Sequence, residues 1–73
     1  MENKDSNYPQ VDEALLNFKK AKYQISIDIL ENLEEKESNF LICWYLGHSY
    51  FRIYNYLSAI KYIKKSINLK GPD

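Results

Sequence analysis

The chain has 73 residues, ten basic and ten acidic side chains, one cysteine and one histidine. A chain this short buries only about 60% of the surface that its unfolded form exposes, so it needs disulfides, a metal, dense packing or a partner. Cys43 alone excludes an internal disulfide framework, and Cys43 with His48 cannot by themselves complete a structural zinc site.

The first residues, Met1 to Asn7, are polar and mixed in charge, with none of the apolar core of a signal peptide. They are expected to form part of a flexible tail over residues 1–8, ahead of a domain over 9–73. Pro9 suits a first helical turn, with Asn7 as its cap and Asp12 and Glu13 near the positive end of the helix dipole. Val11, Ala14, Leu15 and Phe18 follow at i, i+3, i+4 and i+7, one face of a helix. After the polar stretch Lys19 to Lys22, a second apolar series runs through Ile25 or Ile27, Ile29, Leu30 and Leu33. It fades in the charged run Glu34 to Glu37. Ser38 or Asn39 can cap a third helix, from about Phe40 to Ile53. Tyr54 and Asn55 make a tight connection to a fourth, from about Tyr56 to Leu69, which Gly71-Pro72 stops.

Short connections between four helices imply antiparallel neighbours and an all-α fold. Two glycines and two prolines are too few for an all-β chain, while seven Tyr, three Phe and one Trp supply large areas for helix packing. A shift of 33 residues lays Phe18 on Phe51, Tyr23 on Tyr56, Ser26 on Ala59, Ile27 on Ile60 and Leu30 on Ile63. Charge divides unevenly between the halves. Residues 1–38 hold nine acids against five lysines, and residues 39–73 hold five bases against Asp73. The longest apolar run, about Phe40 to Leu46, falls far short of the roughly 20 residues of a membrane span. No membrane association is expected, and a single free thiol suits a reducing, cytoplasmic setting.

Leu46-Gly47-x-x-Tyr50, followed by Ala59 and then Ile63, resembles the tetratricopeptide repeat (TPR), whose helix pairs recur about every 34 residues. Gly47 and Ala59 are small where paired helices approach, and Leu46, Tyr50 and Ile63 fill the seam. The first half is a truncated, divergent relative: Phe18-Lys19-Lys20-Ala21-Lys22-Tyr23 to Ser26-Ile27 fits, but Glu13-Ala14 and Asn17 stand where the motif has Leu-Gly and Tyr. Cys43 takes the usual Trp site, with Trp44 one residue later. The resemblance implies antiparallel helix pairs stacked as a short right-handed α-solenoid, with repeat 1 at about 9–37 and repeat 2 at about 39–72.

No Ser/His/Asp constellation, paired carboxylates in an apolar setting or Gly-rich phosphate loop occurs, and Cys43 and His48, five apart, diverge on a helix, so no enzyme, cofactor or metal is expected. The same resemblance implies a protein-binding module. Its first helices line a concave groove that takes a peptide or helix of another protein, here through Leu41, Trp44, His48, Phe51 and Arg52. Phe18 is ambiguous between that groove and the core. The spacing of the five puts them on one face of the third helix, opposite Cys43, Leu46, Gly47 and Tyr50, so that helix is apolar on both sides. Trp44 is either an interface anchor or a residue packed on the first helix of its own chain. His48 is either a reader of a ligand carboxylate or pH, or part of the groove wall. Cys43 reads as a buried, inert core residue.

Lys61, Lys64 and Lys65 lack the clustered arginines of a nucleic-acid surface, and no nucleic-acid partner is expected. Chaperone C-terminal tails are not expected either. Val11, Leu15 and Tyr45 stand where the family's carboxylate clamp has Lys and Asn. Repeat arrays usually close with a polar capping helix. None follows the fourth helix before Asp73, so Tyr62, Ile63 or Ile67 is expected to lack its usual neighbour. Self-association as a homodimer or oligomer is the second expectation.

Overall fold

A computed structural model describes residues 8–70. The Asn7 cap, residues 1–7 of the expected tail and the Gly71-Pro72 stop lie outside the described residues. Four α-helices, and no strand, occur among them: α1 (Tyr8–Lys19), α2 (Tyr23–Glu31), α3 (Phe40–Arg52) and α4 (Tyr56–Lys70). Tyr8, placed in the tail from sequence, already belongs to α1.

The connection from α1 to α2 passes through a left-handed residue, Ala21, at φ 64°. The Lys22 amide donates to the Asn17 carbonyl at 2.8 Å and the Ala21 amide to Phe18 at 3.0 Å, the paired bonds of a Schellman cap. The α3–α4 connection repeats this bond for bond. Tyr54 has φ 69°, the Asn55 amide donates to the Tyr50 carbonyl at 2.9 Å, and the Tyr54 amide donates to Phe51 at 3.0 Å. Each residue stands 33 places from its counterpart, so the internal repeat seen in sequence extends to the backbone.

Between the halves, the helix expected to fade after Leu33 stops at Glu31. The Asn32 amide donates back to the Ile29 carbonyl at 3.3 Å and the Leu33 amide to Leu30 at 3.1 Å, while the Asn32 side chain donates to the Asp28 carbonyl at 2.8 Å. The charged run then forms a separate 3₁₀ helix, Glu34–Glu37. Buried Leu33 anchors its start, and the Cys43 thiol donates to the Lys36 carbonyl at 2.8 Å near its end. Asn39, rather than Ser38, caps α3: its Oδ1 accepts from the Ile42 amide at 3.2 Å.

α1 packs on α2, α2 on α3 and α3 on α4, with α3 also touching α1. α3 and α4 run antiparallel. Phe51 meets Tyr56 beside their turn, Gly47 meets Ile63 at mid-length, and Phe40 and Lys70 share a cleft at the far end. A Cβ at Gly47 would stand 2.5 Å from Ile63 Cγ1 and 3.0 Å from its backbone nitrogen. This is the close approach that the Gly47–Ala59 spacing predicts. The core joins Ala14 of α1, Ile27 and Leu30 of α2, Leu33 of the segment after α2, Ile42, Cys43 and Leu46 of α3, and Tyr62 of α4.

Tyr62 therefore requires a correction. Expected on an uncovered face, it is only 3% exposed. Its ring lies parallel to Tyr50 at 5.9 Å between centroids, and its hydroxyl donates to the Glu31 carboxylate at 3.3 Å. The α3–α4 seam and the acid of α2 draw this side chain inward.

Candidate functional site

The outer side of α3 carries a run of aromatic side chains that crosses onto both helices of the first pair. Trp44 lies tilted over His48 at 3.9 Å and edge-on to Tyr45 at 4.9 Å. Tyr45 meets Phe18 of α1 edge-on at 5.3 Å, and Phe18 meets Tyr23 of α2 in the same way at 5.3 Å. The Arg52 guanidinium stands 5.7 Å from the centre of the Tyr23 ring, within cation–π range. Phe18 is half-buried between Tyr23 and Tyr45, so it supports the aromatic run from below.

Of the residues expected in the groove, Trp44, His48, Phe18 and Arg52 thus belong to one continuous set. Leu41 stands at the other end of the helix, 50% exposed. Phe51 is also 50% exposed but turns to Tyr56 of α4, at 5.6 Å between ring centres. Tyr23 and Tyr45 complete the set and escaped the sequence reading. The 33-residue alignment of Tyr23 with Tyr56 was the available signal for one of them. Tyr45 stands four residues after Leu41, three before His48 and seven before Arg52, at the edge of the same helical face, and that spacing was the signal for it.

Trp44 also lines a cleft of about 280 Å³ together with Phe40 of α3 and Ile63, Ser66, Ile67 and Lys70 of α4. Ile67 is 61% exposed there, and Ile63 is half-buried against Gly47. Two of the three residues expected on the uncovered face, Ile63 and Ile67, therefore share a cleft, while Tyr62 does not.

Electrostatics give the outer face little chemistry of its own. Burial, and secondarily the charge of Arg52, push the His48 pKa below its ordinary value, so the imidazole is neutral at pH 7. Burial pushes the Cys43 thiol up, away from the reactive thiolate. No group of three or more His, Cys, Asp or Glu side chains suited to a metal ion occurs among the described residues. Lys61 lies 4.9 Å over the Tyr62 ring, and Lys65 approaches Glu37 at 3.7 Å.

The strongest polar node lies behind this face. Glu31 accepts from Lys36 at 2.8 Å, from Tyr50 at 2.5 Å and from Tyr62, tying α2, the 3₁₀ helix, α3 and α4 together. Burial works to raise its pKa, but the bonds from Lys36, Tyr50 and Tyr62 outweigh it and hold the carboxyl below the usual range.

No protein-family model, curated protein or solved structure matches the chain. No helix among the described residues is long and apolar enough to cross a membrane.

Proposed function

We propose that the chain is a protein–protein interaction module and not an enzyme, with a peptide or helix of another protein lying along the outer side of α3. The observation that carries this reading is the aromatic run from His48 to Tyr23, flanked by half-exposed Leu41 and Phe51. Trp, Tyr and Arg concentrated on one side of a rigid helix are the residue types that anchor interfaces. A neutral His48 lowers the cost of covering that surface. The two matched turns and the Gly47–Ile63 contact support a short right-handed α-solenoid of two TPR-like units, for which a cytoplasmic adaptor or scaffold role is the natural one.

Affinity capture with the wild type, Leu41→Asp and Trp44→Ala tests the reading, with helical content checked by circular dichroism. A partner lost from both folded variants supports it. Partners retained by both overturn it.

The open cleft with exposed Ile67 leaves room for a second reading, self-association through α4. Sedimentation across a wide concentration range, in low and high salt, decides this one. A species that stays monomeric throughout removes it.

A further inference from the structure

The repeat allows the covered and uncovered helix pairs to be compared position by position. In the first pair, α3 lies across α2, and Ile27 and Leu30 are enclosed beneath Ile42, Cys43 and Leu46. Shifted by 33 residues, Ile27 becomes Ile60 and Leu30 becomes Ile63. Ile27 is 2% exposed, whereas Ile60 is 53% exposed. Tyr56, Ile60, Ile63 and Ile67 follow at i, i+4, i+7 and i+11, one narrow stripe along α4. Its C-terminal half opens into the cleft with Trp44. The first pair therefore shows what covers such a surface: a helix with an apolar stripe at i, i+1 and i+4.

Another copy of this chain is a poor source of that helix. The α1 positions equivalent to Ile42, Cys43 and Leu46 are Pro9, Gln10 and Glu13, all exposed and two of them polar, so head-to-tail stacking lacks the stripe. Two α4 stripes face to face would bring lysines together, because Lys64 and Lys70 flank the stripe and α4 carries no acid. Charge is inverted between the equivalent positions: Asp28 and Glu31 of α2 become Lys61 and Lys64, and Glu37 of the 3₁₀ helix becomes Lys70. In the first pair Tyr50 of α3 reaches Glu31. At the same register on α4 stands Lys64.

We propose that the Tyr56–Ile60–Ile63–Ile67 stripe and its cleft take an amphipathic helix of another protein, one that presents an α3-like apolar stripe with an acidic residue facing Lys64. This rests on reading the chain as an interaction module, but it places a second docking surface on α4, apart from Leu41.

The test is fluorescence anisotropy with the whole 73-residue protein and a labelled synthetic peptide of residues 38–54 carrying Tyr50→Glu. Saturable binding is expected. It should weaken about tenfold with Ile60→Glu or Ile67→Glu in the protein, the loss of one well-buried apolar side chain. It should weaken several-fold when the peptide carries Tyr50→Lys instead, and persist with Leu41→Asp in the protein. Ile60 and Ile67 are exposed, so both variants are expected to keep wild-type helicity. No saturable binding, or binding indifferent to both Ile variants, overturns the proposal. So does a dimer in sedimentation that Ile60→Glu dissolves, since a second copy then fills the stripe. A captured partner sensitive to Leu41→Asp, found without peptide binding, would leave the α3 reading standing and remove this one.

Discussion

Tyr50 and Glu31, 19 residues apart, are joined by a 2.5 Å hydrogen bond in which the phenol donates to the carboxylate. Lys36 and Tyr62 converge on the same acid, so one side chain of α2 gathers contacts from every later element. Because the folded-state pKa of Glu31 is lowered, its contribution to stability is present above the unfolded pKa and lost as pH falls through the folded value. Glu31→Gln is expected to cost about 1–2 kcal/mol at pH 7, near the low end for charged hydrogen bonds because the group is partly exposed. Urea unfolding at pH about 7 and about 3 checks the sign, these values lying on either side of an ordinary glutamate pKa. The gap between wild type and variant should narrow in acid, and a gap that stays constant would contradict the assignment.

Gly47→Ala sets two effects against each other. Alanine is the better helix former by about 1 kcal/mol. Its Cβ, however, would press on Ile63 Cγ1 at 2.5 Å and on backbone atoms at 3.0 and 3.3 Å, which the helices cannot yield without separating. Overpacking of this kind costs about 1–3 kcal/mol, so the variant is expected to be less stable. Introducing Ile63→Ala alongside it should recover part of the loss. A double-mutant cycle with no coupling would show that the two residues do not bear on each other.

Ala21 and Tyr54 occupy the left-handed turns at φ 64° and 69°, a conformation that costs a residue with a side chain about 1–2 kcal/mol. Ala21→Gly is expected to stabilise the chain by about 0.5–1 kcal/mol after the glycine's own entropy is counted, or roughly 4 °C in melting temperature. Tyr54→Gly should gain less, since it also gives up the Tyr56 ring contact at 6.3 Å. An unchanged or lowered midpoint for Ala21→Gly would mean that the turn is not held as described.

The helices were legible because their signals are local. Asn39 caps α3 through its own side chain, and Gly47 and Ala59 mark the close approach of α3 and α4. The register of the two turns could also be read, since Phe18-to-Tyr23 and Phe51-to-Tyr56 align directly. What escaped depends on contacts distant in sequence. The run Glu34–Glu37 has no apolar period, and its 3₁₀ form depends on buried Leu33 and the Cys43 thiol. Periodicity could not place Tyr62, because its inward position follows from an acid 31 residues earlier. Phe18 was undecidable from one helix alone. Its position is settled by rings on two others.

Cys43 is the chain's single cysteine, and it is fully enclosed with its Sγ–H committed to the Lys36 carbonyl. A thiol reagent can reach it only in molecules whose 3₁₀ helix has lifted away or whose core has opened. The residue is thus a built-in stopwatch. The pace at which it is alkylated, compared with that of a free thiol, reads out how often the 3₁₀ helix lifts or the core opens, with no label added to the protein.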